Sequence, residues 1–448
     1  MKHLHLVSLG CPKNLVDSEI MLALLEADGY TVVEEPAAAD LVLVNTCGFI
    51  QPAVEEAVDE ILRLAAVKEE RPAQLLVVTG CMVQRYGAEL ARELPEVDLF
   101  LGVDDFPLIV EHLRAHEQGR PLALASGPSS YIMDATVPRT ISTPLFRSYL
   151  KITEGCDNHC SYCMIPSIRG PLRSRGVNDL VAEAMRLEEL GVRELTLIAQ
   201  DLTAYGDDLG EEASLVTLLQ ALLKETSIPW FRLLYLYPSS LGDDLLALMA
   251  AQPRILPYLD IPFQHASDPV LRRMNRRYTT RELNELVSRI RTMVPECSLR
   301  TTMLVGFPGE TEADVELLLE CLARWQFDHV GVFQYQDEEG SAAARLDGKV
   351  EEEEKEVRYQ RVMELQAKIS LQRQQRLVGR VEEVLVEGLS RESDLLLEGR
   401  TRFQAPDIDG CVYITSGQVN PGDIVPVRIT EAHPYDLVGE VVSAAELP

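Results

Sequence analysis

The sequence predicts a multidomain α/β protein: an N-terminal parallel α/β domain, a central partial (β/α) barrel and a small C-terminal antiparallel β-barrel. Three observations carry this reading. A strand–loop–helix unit repeats three times within residues 4–94, six further strand–helix units alternate across 149–334, and from Arg380 the texture changes to short alternating strands with glycine turns. The 448 residues exceed one ordinary domain of ~100–200 residues. The 46% hydrophobic and 25% charged content is that of a globular chain.

In the first unit, 1–125, apolar runs at 4–9, 41–44 and 75–78 read as strands, and helical patterns follow at 18–26, 54–64 and 83–94. Residues 126–145, rich in Ser, Thr, Pro and Gly, read as a linker. The central unit, 146–376, has strand-like runs at 149–153, 194–199, 231–237, 258–262, 299–305 and 329–334, with helical patterns such as 179–190, 214–224, 283–293 and 312–325 between them. A barrel of this kind carries its active site at the C-terminal strand ends. The polar loop 337–356 ends in Glu351-Glu352-Glu353-Glu354-Lys355-Glu356, a solvated helix start, and a Gln- and Arg-rich helix over 356–377 leads out. In the last unit, 377–448, strands fall at 381–386, 394–397, 412–415, 424–429 and 437–442.

Charge and hydropathy narrow the function classes. Lys+Arg 42 against Asp+Glu 71 gives a net charge of −29, which repels nucleic acid at long range and suits a basic protein partner. The longest clean apolar run, 245–251, has 7 residues, short of the ~18–20 of a bilayer span, so no membrane partner is expected. Ser8-Leu9-Gly10-Cys11 loosely resembles a lipoprotein cleavage site. The apolar stretch before it is shorter than a secretory core of ~7–15 residues, so the segment reads as a strand and the protein as cytoplasmic.

The nine cysteines carry the chemistry. An odd number without a signal argues against a disulfide framework and for metal or catalytic use. Cys156, Cys160 and Cys163 lie in Glu154-Gly155-Cys156-Asp157-Asn158-His159-Cys160-Ser161-Tyr162-Cys163, a C-x3-C-x2-C spacing. Three thiolates on one short loop grip three corners of an iron–sulfur cubane and leave one iron open, where a full set is four. Zinc is the structural alternative, but its ribbons pair two separated C-x2-C units. His159 as a fourth ligand would be strained between two cysteine ligands. Cys11, Cys47 and Cys81 each follow an apolar strand, and ligands of parallel sheets bind beyond the carboxyl ends of strands. All three are therefore expected to converge on one crevice and to hold a second cluster, again with an open iron. Cys297, Cys321 and Cys411 are isolated and read as small buried hydrophobes.

The triplet with Tyr162 before its last cysteine resembles the signature of radical S-adenosylmethionine enzymes. Together with the N-terminal cysteines and a C-terminal barrel that resembles a TRAM module, almost the whole chain resembles a methylthiotransferase. That resemblance implies two 4Fe-4S clusters held by Cys11, Cys47, Cys81 and by Cys156, Cys160, Cys163, with S-adenosylmethionine chelating the open iron of the second set and cleaved to a 5'-deoxyadenosyl radical. One branch of the family modifies an adenosine in tRNA. The other modifies an aspartate β-carbon in the twelfth protein of the small ribosomal subunit. Gly10-Cys11-Pro12-Lys13-Asn14-Leu15-Val16-Asp17-Ser18-Glu19 resembles the ribosomal-protein branch. The terminal barrel agrees: from Arg380 it has five basic and thirteen acidic residues, a net of −8, where gripping tRNA needs Lys and Arg. Phe403 and Tyr413 are its candidate base-stacking platforms.

The expected reaction is methylthio transfer to that aspartate, with an electron donor and a basic ribosomal protein, free or ribosome-bound, as partners. The alternatives are a tRNA adenosine methylthiotransferase and a non-catalytic iron–sulfur electron-transfer protein. Candidate cofactor contacts are Tyr162, Gln200 at the end of the second barrel strand, and Gly306 and Gly309 in Thr301-Thr302-Met303-Leu304-Val305-Gly306-Phe307-Pro308-Gly309-Glu310, a segment that a plain turn and helix cap also explain. Asp201 and Gln264 share the reactive face with His265, a proton relay or a structural histidine. Of Arg169, Arg173 and Arg175, one is a candidate carboxylate ligand and at least two read as solvated charge.

Overall fold

The structure, a computed structural model, describes residues 2–120, 127–210, 212–393 and 395–443. Among these, the N-terminal domain comprises β1 (Lys2–Ser8), α1 (Pro12–Ala27), β2 (Tyr30–Val32), β3 (Leu41–Thr46), α2 (Gln51–Glu69), β4 (Leu75–Gly80), α3 (Cys81–Glu93), β5 (Leu99–Leu101) and α4 (Ile109–Glu117). The strands form one parallel sheet in the order β2-β1-β3-β4-β5. Every residue of β3 is buried, as expected for a central parallel strand covered on both faces by helices. The three-residue strands β2 and β5 escape a sequence reading because so short a run shows no period.

The central domain follows with β6 (Arg147–Lys151), β7 (Thr153–Glu154), α5 (Ile165–Arg169), β8 (Arg173–Ser174), α6 (Val177–Glu189), β9 (Glu194–Ile198), α7 (Leu215–Glu225), β10 (Trp230–Leu233), α8 (Asp243–Ala251), β11 (Ile255–Asp260), α9 (Asp268–Arg273), α10 (Thr280–Met293), β12 (Ser298–Val305), α11 (Glu312–Trp325), β13 (His329–Gln334) and α12 (Glu352–Gln374). Six of these strands form a parallel sheet in the order β13-β12-β11-β10-β9-β6, each beside its neighbour in the chain. The end strands β6 and β13 are not paired with each other, so the barrel is partial. One face of the sheet (Leu150, Leu195, Leu197, Leu233, Leu259) packs on helix residues such as Leu180, Leu218 and Leu286. On the other face Tyr149, Ile198, Leu234 and Tyr258 share an apolar cluster with Leu4, Val16 and Ile20 of the N-terminal domain and with Ala405. That shared core holds the two domains in one arrangement.

The C-terminal unit closes as a barrel of β14 (Val381–Leu389), β15 (Leu397–Thr401), β16 (Val412–Ile414), β17 (Ile424–Ala432) and β18 (Leu437–Val441), in the order β14-β15-β16-β18-β17. Two details correct the sequence reading. The barrel is not wholly antiparallel, because β16 and β18 pair in parallel. The second strand runs over Leu397–Thr401 rather than 394–397, residue 394 lying outside the described residues. Gly399 and the buried Arg400 occupy the middle of that strand, where propensity disfavours the glycine and burial the charge. Gly399 is there because a Cβ would lie 2.6 Å from the Leu385 carbonyl oxygen. Arg400 is there because it reaches out of the barrel.

Arg400 and Arg232 both grip Glu194, with contacts of 2.6 Å and 2.5 Å, and all three side chains are buried. Burial alone would raise the Glu194 pKa, but the two guanidinium groups outweigh it and hold the carboxyl at about 2. A depressed carboxylate stabilises the fold above its ordinary pKa of roughly 4.3 and loses that contribution as pH falls towards 2. We therefore expect the melting temperature to fall as pH drops from about 4.5 towards 2. Glu194→Gln should lower it already at pH 7 and flatten this part of the profile, as calorimetry of both proteins would register.

The described part of the predicted linker, 127–145, is packed rather than loose. Met133 joins the shared apolar cluster, and Arg139 bridges Glu19 of α1 (2.7 Å) and Glu183 of α6 (2.8 Å). Among the described residues no helix is long and apolar enough to cross a membrane.

Candidate functional site

Cys11, Cys47 and Cys81 sit just beyond β1, β3 and β4, where Cys11 caps α1 and Cys81 opens α3. The buried Asn14 gathers these strand ends. Its Nδ2 donates to the carbonyls of Leu9 (3.2 Å) and Thr46 (2.9 Å), and its Oδ1 lies 3.6 Å from Cys81 Sγ. Asn45 Nδ2 donates back to the Asn14 carbonyl at 2.8 Å. Gly10, at φ +91°, lets the first loop lie against the second: a Cβ there would stand 2.8 Å from Cys47 Cβ.

The second cysteine loop leaves β7 through Gly155, at φ +76°, whose absent Cβ would collide with the Pro171 carbonyl. Each of its thiols faces a donor. Asn158 Nδ2 lies 3.5 Å from Cys156 Sγ, Arg276 Nη1 3.3 Å from Cys160 Sγ, and the Ile165 N–H 3.4 Å from Cys163 Sγ. On the N-terminal side, Arg169 Nε donates to Cys81 Sγ at 3.2 Å. Burial pushes the free thiols up, Cys47 to about 12, and raises Cys81, Cys156 and Cys163. A bound metal removes those protons, and the N–H donors then meet thiolates.

All six of these cysteines line one cavity of about 290 Å³. Among the described residues no three His, Cys, Asp or Glu side chains are placed to hold a single metal ion. Three thiols apiece on two facing walls, with donors aimed at the sulfurs, fit cubanes that offer each thiolate its own iron. The exposed His159, at φ +49°, does not line the cavity. Gln200 lines it with a buried Oε1 that has no partner, as a ligand bearing a donor requires.

A buried charge network ties the two walls together. Arg169 contacts Asp17 (2.8 Å), Glu154 (3.3 Å) and Asn14 Oδ1 (2.6 Å), and Lys151 contacts Asp17 and Glu154 at 2.5 Å each. Burial would raise the Glu154 pKa, but Lys151 and Arg169 hold it at about 2.

Comparison with known proteins follows the same division of the chain. Residues 3–102 match the model of the uncharacterized protein family UPF0004, 150–322 that of the radical SAM superfamily, and 378–442 that of the TRAM domain. A ribosomal protein uS12 methylthiotransferase, RimO, of Desulfotalea psychrophila is 55% identical over 98% of this chain and 99% of its own. The chain belongs to the uS12 methylthiotransferase family. Members from Geobacter sulfurreducens and Syntrophotalea carbinolica are 49% and 48% identical, each over 98% of this chain and over 98% and 97% of their own. Among solved structures, the radical S-adenosylmethionine methyltransferase TsrM of Kitasatospora setae shares the fold with a TM-score of 0.55, at 15% identity over 74% of this chain and 73% of its own.

For a member of the uS12 methylthiotransferase family, the placement of the sequence-predicted residues is instructive. Tyr162 and Gln200 line the cavity, and the Tyr162 ring stands edge-on to Phe307 at 6.3 Å. Gly306 and Gly309 are not brought to it. A Cβ on Gly306 would strike the Lys355 side chain, and one on Gly309 would lie 2.8 Å from Arg273 Nε, so both glycines serve the packing of α12 and α9. Asp201 and Gln264 line the cavity, but His265 does not. His265 is fully buried, its Nδ1 accepts from the Ser267 N–H at 2.9 Å, and burial lowers its pKa to about 4, which suits a structural histidine.

Arg169, Arg173 and Arg175 are not solvated charges. Arg169 and Arg175 are buried, the latter on Glu183 and Asp179, and Arg173 donates to the carbonyls of Tyr131, Arg169 and Pro171. Phe403 is buried and Tyr413 half-buried, so neither is a free stacking platform. Cys297 and Cys321 are buried as expected, while Cys411 is only half-buried. Sequence reasoning missed Lys13, Asn14, Asp17, Glu154 and Arg276. The one local signal was a helix start, 13–19, crowded with polar residues directly after a cysteine.

Proposed function

We propose that this chain transfers a methylthio group to the β-carbon of an aspartate in ribosomal protein uS12, in the cytoplasm, by radical S-adenosylmethionine chemistry. The observation that carries the reading is the convergence of two separate three-cysteine sets on one cavity, in a chain of the uS12 methylthiotransferase family. Cys156, Cys160 and Cys163 would hold one 4Fe-4S cluster and Cys11, Cys47 and Cys81 the other. Together with S-adenosylmethionine and an external electron donor they supply what acid–base groups lack: a radical able to take hydrogen from an unactivated carbon, and a source of sulfur.

The chain's own residues do the rest. Asn158, Arg276 and the Ile165 N–H orient the second set of sulfurs, while Asn14 and Arg169 orient Cys81. The tyrosines Tyr162, Tyr235 and Tyr237 wall the cavity and keep water from it. An electron carrier has no use for a cavity between two incomplete ligand sets, which speaks against the electron-transfer reading.

The C-terminal barrel supports a basic protein over tRNA as substrate. Arg400 is spent on Glu194, and Arg380 and Arg402 on Glu296, so three of its five arginines face the central domain. What remains towards solvent is acidic, which attracts a basic ribosomal protein and repels phosphate. Mass spectrometry of ribosomal proteins and tRNA from cells lacking this chain is the test. We expect uS12 to lose the mass of one methylthio group in place of hydrogen while tRNA is unchanged; loss from tRNA instead would overturn the assignment.

A further inference from the structure

The six-thiol cavity contains a cation that the proposed chemistry leaves without a task. Lys13 is 8% exposed, and its Nζ meets the Ala199 carbonyl oxygen at 3.1 Å and the Tyr235 ring at 3.7 Å from the centroid. The neighbouring buried cations differ. Lys151 and Arg169 share Asp17 and Glu154. Arg276 spends Nε on the Tyr278 hydroxyl, Nη1 on Cys160 Sγ and Nη2 on the Pro262 carbonyl. An ammonium has three donors, and Lys13 uses one of them on a neutral oxygen. A buried cation with donors to spare and no carboxylate in contact, Glu154 and Asp260 acting on it only from a distance, is costly to keep unless a ligand supplies the charge.

Two further observations point to where that ligand comes from. A second cavity, of about 320 Å³, shares Cys11 and Tyr235 with the first and is bounded by Leu234 and by Pro406, Asp407 and Ile408 of the C-terminal barrel. Ile408 is 42% exposed, so this cavity lies towards solvent, on the Cys11 side rather than the Cys160 side. Tyr235 stands between the two cavities at φ +66°, a left-handed conformation that a non-glycine residue adopts only under constraint from its surroundings. Its N–H donates to Asp260 Oδ2 at 3.2 Å, which holds the ring under the Lys13 ammonium.

We propose that Lys13 is the receptor for the side-chain carboxylate of the substrate aspartate, which reaches it past Pro406 and Ile408 and comes to rest beside Cys11. The ammonium fixes one end of a short side chain, so the β-carbon, one bond away from the carboxylate, is held at a set depth in the cavity. A dry site built around an ammonium also rejects the isosteric asparagine, whose amide leaves the charge unpaired. The assignment rests on the methylthiotransfer reading above.

The test is binding of whole uS12, and of uS12 carrying asparagine at the target position, to anaerobic cluster-loaded enzyme without reductant. S-adenosylmethionine affinity and iron content are measured in parallel. Native enzyme should prefer the aspartate form by about tenfold or more. Lys13→Met should bind both forms alike, and Lys13→Arg should keep the preference. A preference retained in Lys13→Met overturns the assignment. So does a loss of S-adenosylmethionine affinity with the preference intact, which would give the ammonium to that molecule's carboxylate. So does loss of iron in Lys13→Met, which would make it a counter-ion of Cys11. Native enzyme that binds neither form of uS12 would refute the substrate reading itself, before any variant is compared.

Discussion

Cys160→Ala and Cys47→Ala should each remove about half of the iron and sulfide from anaerobically prepared protein, independently of one another, and each should abolish the methylthiolated product. Two 4Fe-4S clusters amount to about eight irons per chain, so each single variant is expected near four and the double variant near none. The independence follows from how the two sets are built. Cys47 stands beyond β3 against Gly10, and its neighbours are arranged by Asn14 and Asn45. Cys160 stands on a loop after β7, with Arg276 at 3.3 Å and the Met274 carbonyl accepting from the Ser161 N–H beside it. Neither set borrows a sulfur from the other. A variant that lost all its iron from one substitution would mean a single shared centre.

Arg169→Met should produce the second large effect, on stability. The substitution leaves Asp17 and Glu154 in a dry interface with Lys151 as their remaining cation and removes the donor on Cys81. Breaking a buried ion network by deleting one partner costs about 3–5 kcal/mol. The urea midpoint of the variant should fall accordingly. The pH dependence changes with it: Glu154, held at about 2 by Lys151 and Arg169 against its burial, loses part of that support, so its pKa rises. The stability Glu154 contributes above its ordinary pKa of roughly 4.3, lost in native protein only as pH falls towards 2, should be smaller in the variant and fully lost at a higher pH. Arg169→Lys should recover only part of the loss, because an ammonium on a shorter reach cannot serve Cys81, Asn14 and two carboxylates at once. A midpoint unchanged in Arg169→Met would show that the two domains are not latched through this residue.

How much of this was legible in the sequence follows from the range of the interactions. The triplet Cys156, Cys160 and Cys163 is a local pattern within eight residues and stands out at once. The N-terminal set is dispersed, yet each member follows an apolar run, and the parallel sheet converts that repeated placement into proximity. The six barrel strands were legible for the same reason, a period repeated against helices. The latch was not. Lys151 meets Asp17 across 134 positions and Arg169 meets Asn14 across 155, and beyond the crowded polar helix start at 13–19 neither segment signals that these charges are buried. The parallel pairing of β16 with β18 and the placement of Arg400 within a strand are likewise decided by tertiary partners rather than by propensity. Gly306 and Gly309, in a segment resembling a cofactor contact, lie outside the lining of the six-cysteine cavity and leave room for Lys355 and Arg273.

The central claim is that the two three-cysteine sets hold separate clusters facing each other across one cavity of about 290 Å³. Electron paramagnetic resonance of the fully loaded, reduced protein tests this directly, because two paramagnets this close broaden and relax each other. Two facing clusters give a spectrum altered by magnetic interaction that reverts to an isolated-cluster signal in Cys47→Ala. A native spectrum equal to the simple sum of the Cys47→Ala and Cys160→Ala signals would contradict it.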